Sequence, residues 1–285
     1  MIFWIASYPK SGNTWLRALI STYFFSKDGK FNQGLLKNID QFPTSQYFET
    51  FNHDKTIPGD TCKYWISAQE KINSIKQVKF FKTHNVFGKI NNFDFTNSQN
   101  SIGCIYVVRD PRNVITSLKN HYQLNDNQAL DWITSEKKYI FNVQNFEEDG
   151  YSDFQFISSW STNYKSWKVQ KKVPIKIIKY EDLLNSTYVV FSDILKFIYK
   201  LTNNNQKLKK DKIKTTLQST SFDMLKKNEK ENGFSEAVTK REDRSKKVPF
   251  FNLGPKNDWK KLLNKKIIEK TENVFEKYLE ELNYK

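Results

Sequence analysis

IFWIASYPKSGNTWLRALI, residues 2–20, changes its pattern twice and decides the fold. Residues 2–6 form an unbroken apolar run, which is typical of a strand buried on both faces of a parallel sheet. A polar turn follows with one cation, Lys10, and from Asn13 onward the apolar residues recur at helical spacing. Because the first N–H groups of a helix are unpaired and carry partial positive charge, this loop is predicted to bind an oxyanion.

The rest of the chain repeats the alternation of strand and helix. Further strands are predicted at residues 78–83, 102–108 and 173–180, and amphipathic helices at residues 130–139 and 154–168. We therefore expect an α/β protein: a P-loop-like three-layer fold with a central parallel sheet flanked by helices, in a single domain over residues 1–285. Ligands bind at the carboxyl ends of such strands, where four polar residues would meet: Lys10, His84, Arg109 and Tyr180.

Composition bounds the partners and the compartment. The formal net charge of +15 raises nucleic acid as a partner. Only five of the 46 cationic residues are arginines, so we attribute the charge to a general bias toward lysine and expect no nucleic acid partner. Two cysteines, Cys62 and Cys104, are too few for a disulfide framework and favour a reducing, cytoplasmic location. No apolar run reaches 18 residues, so no transmembrane segment is expected.

The loop YPKSGNTW at residues 8–15 resembles the 5′-phosphosulfate loop of the sulfotransferases, YPKSGTTW, with Asn13 as its one local departure. It is not a Walker A motif, because Lys10 precedes the glycine instead of following it. The resemblance implies that the donor is 3′-phosphoadenosine 5′-phosphosulfate (PAPS). The loop residues that would bind it are Lys10, Ser11, Gly12, Asn13, Thr14 and Trp15.

The segment Lys82-Thr83-His84 lies at the end of a predicted strand and resembles the catalytic segment of the same family. A single histidine at a strand end is more often structural than catalytic. Histidine is nevertheless the side chain whose pKa, near 6.5 when unperturbed, suits proton abstraction around neutrality. The resemblance implies that His84 deprotonates an acceptor hydroxyl. Lys82, two residues earlier on the same face of the strand, would neutralise charge on the transferred group.

The segment RDPRNVITS at residues 109–117 resembles the family motif that holds the 3′-phosphate of the donor. Arg109 would meet the phosphate with two N–H groups, and Ser117, eight positions later, would add a hydroxyl from the following helix. The alternative is a plain helix start, with Asp110 as the N-cap and Arg112 in solvent.

Three weaker matches follow in the family order. YEDL at residues 180–183 would place Tyr180 on the nucleotide, and TSF at residues 220–222 would place Thr220 and Phe222 at the adenine. The third match is FFNLGPKNDWK at residues 250–260, which resembles RKGxxGDWK through Gly254, Asp258, Trp259 and Lys260.

That third match lacks two cations. Asn252 and Leu253 stand where the family has the Arg and Lys that grip the 3′-phosphate. A substitute cation is expected among four nearby residues: Lys256, Arg244, Lys246 and Lys247.

Together these residues predict transfer of a sulfuryl group from PAPS to a hydroxyl of a small molecule, lipid or carbohydrate. His84 is the predicted base, Lys10 and Lys82 stabilise negative charge, and no metal is required. Two alternatives are a nucleotide-dependent kinase, which the loop order disfavours, and a basic nucleic-acid-binding module. Residues 229–247 are charged and poor in apolar residues, and so are a candidate for disorder without ligand. The sequence specifies neither the acceptor nor the oligomeric state.

Overall fold

A parallel sheet of five strands lies at the centre of the computed structural model, which describes all residues, Met1–Lys285. The strands are β1 Ile2–Ser7, β2 Ile39–Gln41, β3 Lys79–Thr83, β4 Lys89–Ile90, β5 Phe93–Asp94, β6 Ser101–Val108, β7 Tyr139–Ile140, β8 Gln155–Phe156 and β9 Ile175–Lys179. The helices are α1 Asn13–Phe25, α2 Trp65–Asn73, α3 Pro111–Tyr122, α4 Asp126–Thr134, α5 Phe146–Asp149, α6 Trp160–Val169, α7 Tyr180–Asn185, α8 Thr187–Leu201, α9 Lys210–Ser219, α10 Phe222–Asn232, α11 Trp259–Leu262 and α12 Lys265–Glu281. The order in the sheet is β2-β3-β1-β6-β9.

The central strand is β1, and its side chains alternate between two apolar cores. It pairs in parallel with β3 on one side and with β6 on the other. Trp4 and Ala6 pack into one core, whereas Phe3 and Ile5 pack into the other. All six residues of β1 are buried, as the unbroken apolar run predicts.

Helices cover both faces of the sheet. On the face of Phe3 and Ile5, helices α1, α8 and α9 contribute apolar residues such as Leu19, Ile194 and Ile213. On the opposite face, α3, α4, α6 and α12 contribute residues such as Leu118, Ile133, Trp160 and Phe275. The predicted α/β class, with a parallel sheet flanked by helices, is confirmed. No helix combines the length and the apolar character needed to cross a bilayer.

Two predicted helices are wrong in part. Helix α6 begins at Trp160 and not at residue 154, because strand β8 pairs with strand β7 just before it. Ser159 caps α6 by accepting a hydrogen bond from the N–H of Thr162. The same pairing explains why α4 ends at Thr134 and does not continue to residue 139.

Residues 229–247, the predicted candidate for disorder, have a defined fold. The segment starts within helix α10, and Phe234 and Ala237 are buried with Phe251 in a small apolar cluster. An isolated antiparallel bridge joins Thr239 to Lys247. The few apolar residues are thus placed where they form a core, which composition alone does not reveal.

Candidate active site

A cavity of about 1120 Å³ lies at the carboxyl ends of β1, β3, β6 and β9. Of the residues predicted to form the site, twelve line this cavity: Lys10, Gly12, Asn13, Thr14, Trp15, Lys82, His84, Arg109, Ser117, Tyr180, Phe222 and Gly254. Ser11 and Thr220 are fully buried and do not line it. Thr220 instead accepts a hydrogen bond on its carbonyl oxygen from Nε1 of Trp15 at 3.0 Å, and so fixes that indole.

The loop between β1 and α1 turns tightly over the ring of Tyr180. Gly12, the N-cap of α1, has a φ of 102°, and a Cβ added to it would lie 2.5 Å from Cδ2 of Tyr180. Trp15 contacts the same ring edge-on, with the ring centroids 5.8 Å apart. No side chain caps α1, so the N–H groups of its first turn remain available to an anionic ligand.

His84 is held by hydrogen bonds of its ring and of its backbone. Its Nδ1 lies 2.7 Å from the carbonyl oxygen of Ser7, while its backbone N–H donates to Gln155 and its carbonyl accepts from Asn163. Because a carbonyl oxygen only accepts, Nδ1 carries the proton and Nε2 keeps its lone pair. Burial and the nearby charge of Lys82 lower the pKa of His84 to about 4, so the ring is neutral at neutral pH.

A carboxylate that the sequence did not point to, Glu236, lines the same cavity as this histidine. Oε1 of Glu236 is 2.8 Å from Nζ of Lys82 and 2.5 Å from Nη1 of Arg17. Oε2 of Glu236 accepts a hydrogen bond from the hydroxyl of Thr14 at 2.9 Å. Although burial opposes ionisation, Lys82 and Arg17 hold the pKa of Glu236 well below its usual range. Arg17 and Glu236 are therefore parts of the site that sequence reasoning missed.

Lys10 has a left-handed backbone, with a φ of 66°, and its side chain reaches Phe250. The ammonium nitrogen lies 3.8 Å from the centroid of that ring. Burial lowers the pKa of Lys10 to about 7, although the charge of Glu236 acts in the opposite direction. Lys10 therefore titrates in the physiological range, unlike an exposed lysine.

Arg109 and Ser117 are brought together as the eight-residue spacing requires. Nη1 of Arg109 lies 3.3 Å from the hydroxyl of Ser117, and the guanidinium stacks 4.2 Å above the ring of Tyr180. Nε of Arg109 is buried and has no hydrogen-bond partner. Asn257, which the sequence did not single out, donates to the same hydroxyl at 3.1 Å and lines the cavity.

The expected substitute cations do not line the cavity. Asn252 and Leu253 line it, and so does Arg241, a cation that was not among the four expected. The four residues outside the lining are Lys256, Arg244, Lys246 and Lys247.

Arg112 is not in solvent. Asp110 caps α3 as the plain helix start would require, but the guanidinium of Arg112 is buried against that carboxylate at 2.8 Å. It also contacts Glu272 at 2.6 Å and stacks over Trp259 at 3.9 Å. Arg112 therefore fastens α3 to α11 and α12, and it does not line the cavity.

One part of the cavity wall is aromatic. Tyr122 stacks on Trp132 with centroids 4.3 Å apart, and Tyr139 and Phe141 continue the wall. His121 lines the same cavity as His84, and burial lowers its pKa to about 3, so it too is neutral. The lining therefore combines cations with aromatic rings, and Lys138 lies 3.6 Å over the ring of Trp132. Such a lining can hold a bulky anion beside a less polar compound.

Comparison with known proteins defines the family. Residues 2–283 match the family described as "Sulfotransferase domain". The luciferin sulfotransferase of Photinus pyralis is 25% identical over 228 residues, which cover 79% of this chain and 56% of that protein. The sulfotransferase 1 family member D1 of Mus musculus is 23% identical over 284 residues, which cover 99% of this chain and 84% of that protein.

Solved structures agree in fold. Mouse sulfotransferase SULT7A1 complexed with PAP has a TM-score of 0.56 at 18% identity, over 97% of this chain and 83% of that one. Retinol dehydratase in complex with androsterone and inactive cofactor PAP has a TM-score of 0.53 at 15% identity, over 98% and 80% of the two chains. The chain belongs to the sulfotransferase family. The prediction of a sulfotransferase enzyme is confirmed.

Proposed function

We propose that the protein transfers a sulfuryl group from PAPS to an acceptor hydroxyl, with His84 as the general base. The observation that carries this proposal is the hydrogen bond from Nδ1 of His84 to Ser7, which leaves Nε2 free to accept a proton. Lys82 lies on the same strand, two residues earlier, and the oxyanion loop follows the neighbouring strand β1. A neutral base and a cation therefore lie close to the oxyanion loop, and sulfuryl transfer requires both.

The donor nucleotide would bind among the polar residues of the cavity. The unpaired N–H groups of α1 and the hydroxyl of Thr14 would bind the 5′-phosphate, and Arg109 with Ser117 would bind the 3′-phosphate. The buried Nε of Arg109, which has no partner, supports this assignment because a phosphate oxygen would satisfy it. Trp15 and Phe222 would enclose the adenine, and both line the cavity.

The chemical step is a displacement at sulfur. The acceptor oxygen forms a bond to the sulfur while the bond from sulfur to the 5′-phosphate oxygen breaks, and the hydroxyl proton passes to Nε2 of His84. The products are a sulfate ester and 3′-phosphoadenosine 5′-phosphate (PAP). Lys82 and Lys10 would stabilise the negative charge on the sulfuryl oxygens and on the leaving phosphate, as cations do in phosphoryl transfer.

The acceptor would bind at the aromatic part of the cavity wall. Tyr122, Tyr139 and Phe141 give it an apolar wall, and Gln155 and Asn142 add polar groups to the lining. This combination suits a hydroxyl compound with a flat or ring-shaped body, from the classes of small molecules, lipids and carbohydrates. A single catalytic domain, a cytoplasmic location and a reaction without metal stay predictions.

A transfer assay tests the proposal. The purified protein is incubated with ³⁵S-labelled PAPS and a panel of phenols, alcohols, sterols and sugars, and labelled products are separated from donor. We expect label in at least one hydroxyl compound and accumulation of PAP in equal amount. Release of PAP without any labelled acceptor across the panel, or no PAPS binding, would contradict the proposal.

A further inference from the structure

Glu236 occupies an anion pocket that is complete without any ligand. Its carboxylate is contacted by the hydroxyl of Thr14 at 2.9 Å and the guanidinium of Arg17 at 2.5 Å, both in helix α1, and by the ammonium of Lys82 in strand β3 at 2.8 Å. These are three donors of the kind that bind an oxyanion, and a carboxylate is an oxyanion. Glu236 is separated from Arg17 by 219 positions in the chain, so the fold has brought a distant carboxylate into this pocket.

The pocket itself is rigid. Arg17 is 5% exposed, and its second nitrogen, Nη2, donates to the carbonyl oxygen of Ile39 at 2.9 Å. The side chain of Lys82 is 14% exposed, whereas that of Glu236 is 24% exposed and lies outside any helix or strand. The cations are therefore held by the framework, and the carboxylate is the partner that can leave by rotation of its side chain.

The donor proposed above needs the same groups. Thr14 and Lys82 would contact the phosphosulfate, but the hydroxyl of Thr14 has a single proton, which Glu236 accepts. Glu236 and the phosphosulfate cannot both be held there, because two anions in one pocket repel each other. We propose that Glu236 fills the subsite of the transferred sulfuryl group in the free enzyme. PAPS binds by displacing the carboxylate of Glu236 into solvent, and Arg17 then becomes an additional cation of the donor site. This inference rests on the proposed function.

Such an exchange makes the site selective. Inorganic sulfate or phosphate offers the pocket only what Glu236 already provides, so neither gains from entering it. PAPS brings further contacts at Arg109, Ser117 and the adenine walls, and these supply the free energy of displacement. The apparent dissociation constant for any anion equals the intrinsic one divided by the fraction of molecules in which the pocket is open, so a pocket that is mostly filled by Glu236 binds anions more weakly. Glu236 is therefore a specificity-determining residue that excludes simple anions.

The test uses Glu236→Gln, with Glu242→Gln as the matched control. Glu242 is an exposed carboxylate in the same segment and does not line the cavity, so the control removes the same charge without opening the pocket. PAPS is titrated calorimetrically without acceptor. Thermal unfolding is then followed in sodium sulfate and in sodium chloride of equal ionic strength.

We expect Glu236→Gln to bind PAPS about tenfold more tightly than the wild type, which is a change of about 1.4 kcal/mol. Sulfate should raise its midpoint of unfolding above that in chloride, whereas the wild type and Glu242→Gln should show no such difference. Glu236→Asp, with a shorter reach, should lie between the two and serves if the amide variant does not fold. The inference would be overturned if both Glu236 variants bound PAPS no more tightly than the wild type and sulfate did not raise their midpoints of unfolding. Sulfuryl transfer by the wild type would in that case still support the proposed function. A wild type that binds no PAPS would overturn both.

Discussion

Nδ1 of His84 lies 2.7 Å from the carbonyl oxygen of Ser7. The last residue of strand β1 therefore holds the ring proton of His84, which follows strand β3, on Nδ1. The two strands pair in parallel, with Ala6 opposite Thr83, and each ends at the same edge of the sheet. Ser7 is also the last residue before the oxyanion loop. The register of two strands therefore sets both the tautomer of His84 and the distance between base and anion site.

Replacing His84 by alanine should lower kcat by about 10²–10⁴-fold, the usual contribution of a general base. Binding of PAPS should persist, because His84 contacts the acceptor and not the nucleotide in the proposed reaction. Initial rates, measured with an acceptor from the panel that the wild type sulfates, give the effect on kcat. Calorimetry with PAPS gives the effect on binding. His53→Ala is the matched control, since His53 does not line the cavity. Undiminished sulfation by the His84 variant would remove it from the role of base.

Replacing Arg109 by alanine should weaken PAPS binding by roughly 10- to 100-fold, since a charge-assisted hydrogen bond contributes about 1.5–3 kcal/mol. Adenosine 5′-phosphosulfate, which lacks the 3′-phosphate, should bind both forms alike. Arg244→Ala is the control, because Arg244 is exposed and outside the lining. If the variant lost the same affinity for both nucleotides, Arg109 would not be the residue that binds the 3′-phosphate.

Replacing Gly12 by alanine should destabilise the protein by about 1–3 kcal/mol and weaken PAPS binding. The φ of 102° strains any side chain, and the new Cβ would lie 2.5 Å from Tyr180. Gly88→Ala is the control, because a Cβ there meets no atom within 4 Å. Urea denaturation of both variants gives the two free energies of unfolding. An equal effect at both positions would mean that the loop tolerates a side chain.

Local pattern predicted four of the five strands of the sheet, β1, β3, β6 and β9, but not β2, because the apolar runs of those four are evident in the sequence. Lys10, His84 and Arg109 needed only the rule that parallel strands end at one edge. Glu236 had no such signal, since it meets Lys82 across 154 positions and outside any regular element. Pairing of β7 with β8 likewise depends on tertiary context, which is why it interrupted two predicted helices.

The affinity for PAPS should fall as pH rises above about 7, because burial lowers the pKa of Lys10 in the free protein to that value. Binding an anion favours the protonated amine, so the complex holds a proton that the free protein has lost. Affinity should therefore decline by up to about tenfold per pH unit above 7, until the raised pKa of the complex is reached. His84, with a pKa of about 4, and Glu236, with a pKa held low, do not change charge in this window.

Calorimetric titrations with PAPS between pH 6 and 9 measure the effect, with Lys10→Arg as the matched variant. Arginine keeps its charge throughout this range, so the variant should bind PAPS with nearly constant affinity. The other charges that act on Lys10 are those of Glu236, Arg109, Lys82 and Glu229. Burial lowers the pKa of Lys82 as well, so Lys82→Arg is titrated as a second variant. If Lys10 is the controlling group, Lys82→Arg should keep the pH dependence of the wild type. If the decline persists in Lys10→Arg, a group other than Lys10 controls donor binding.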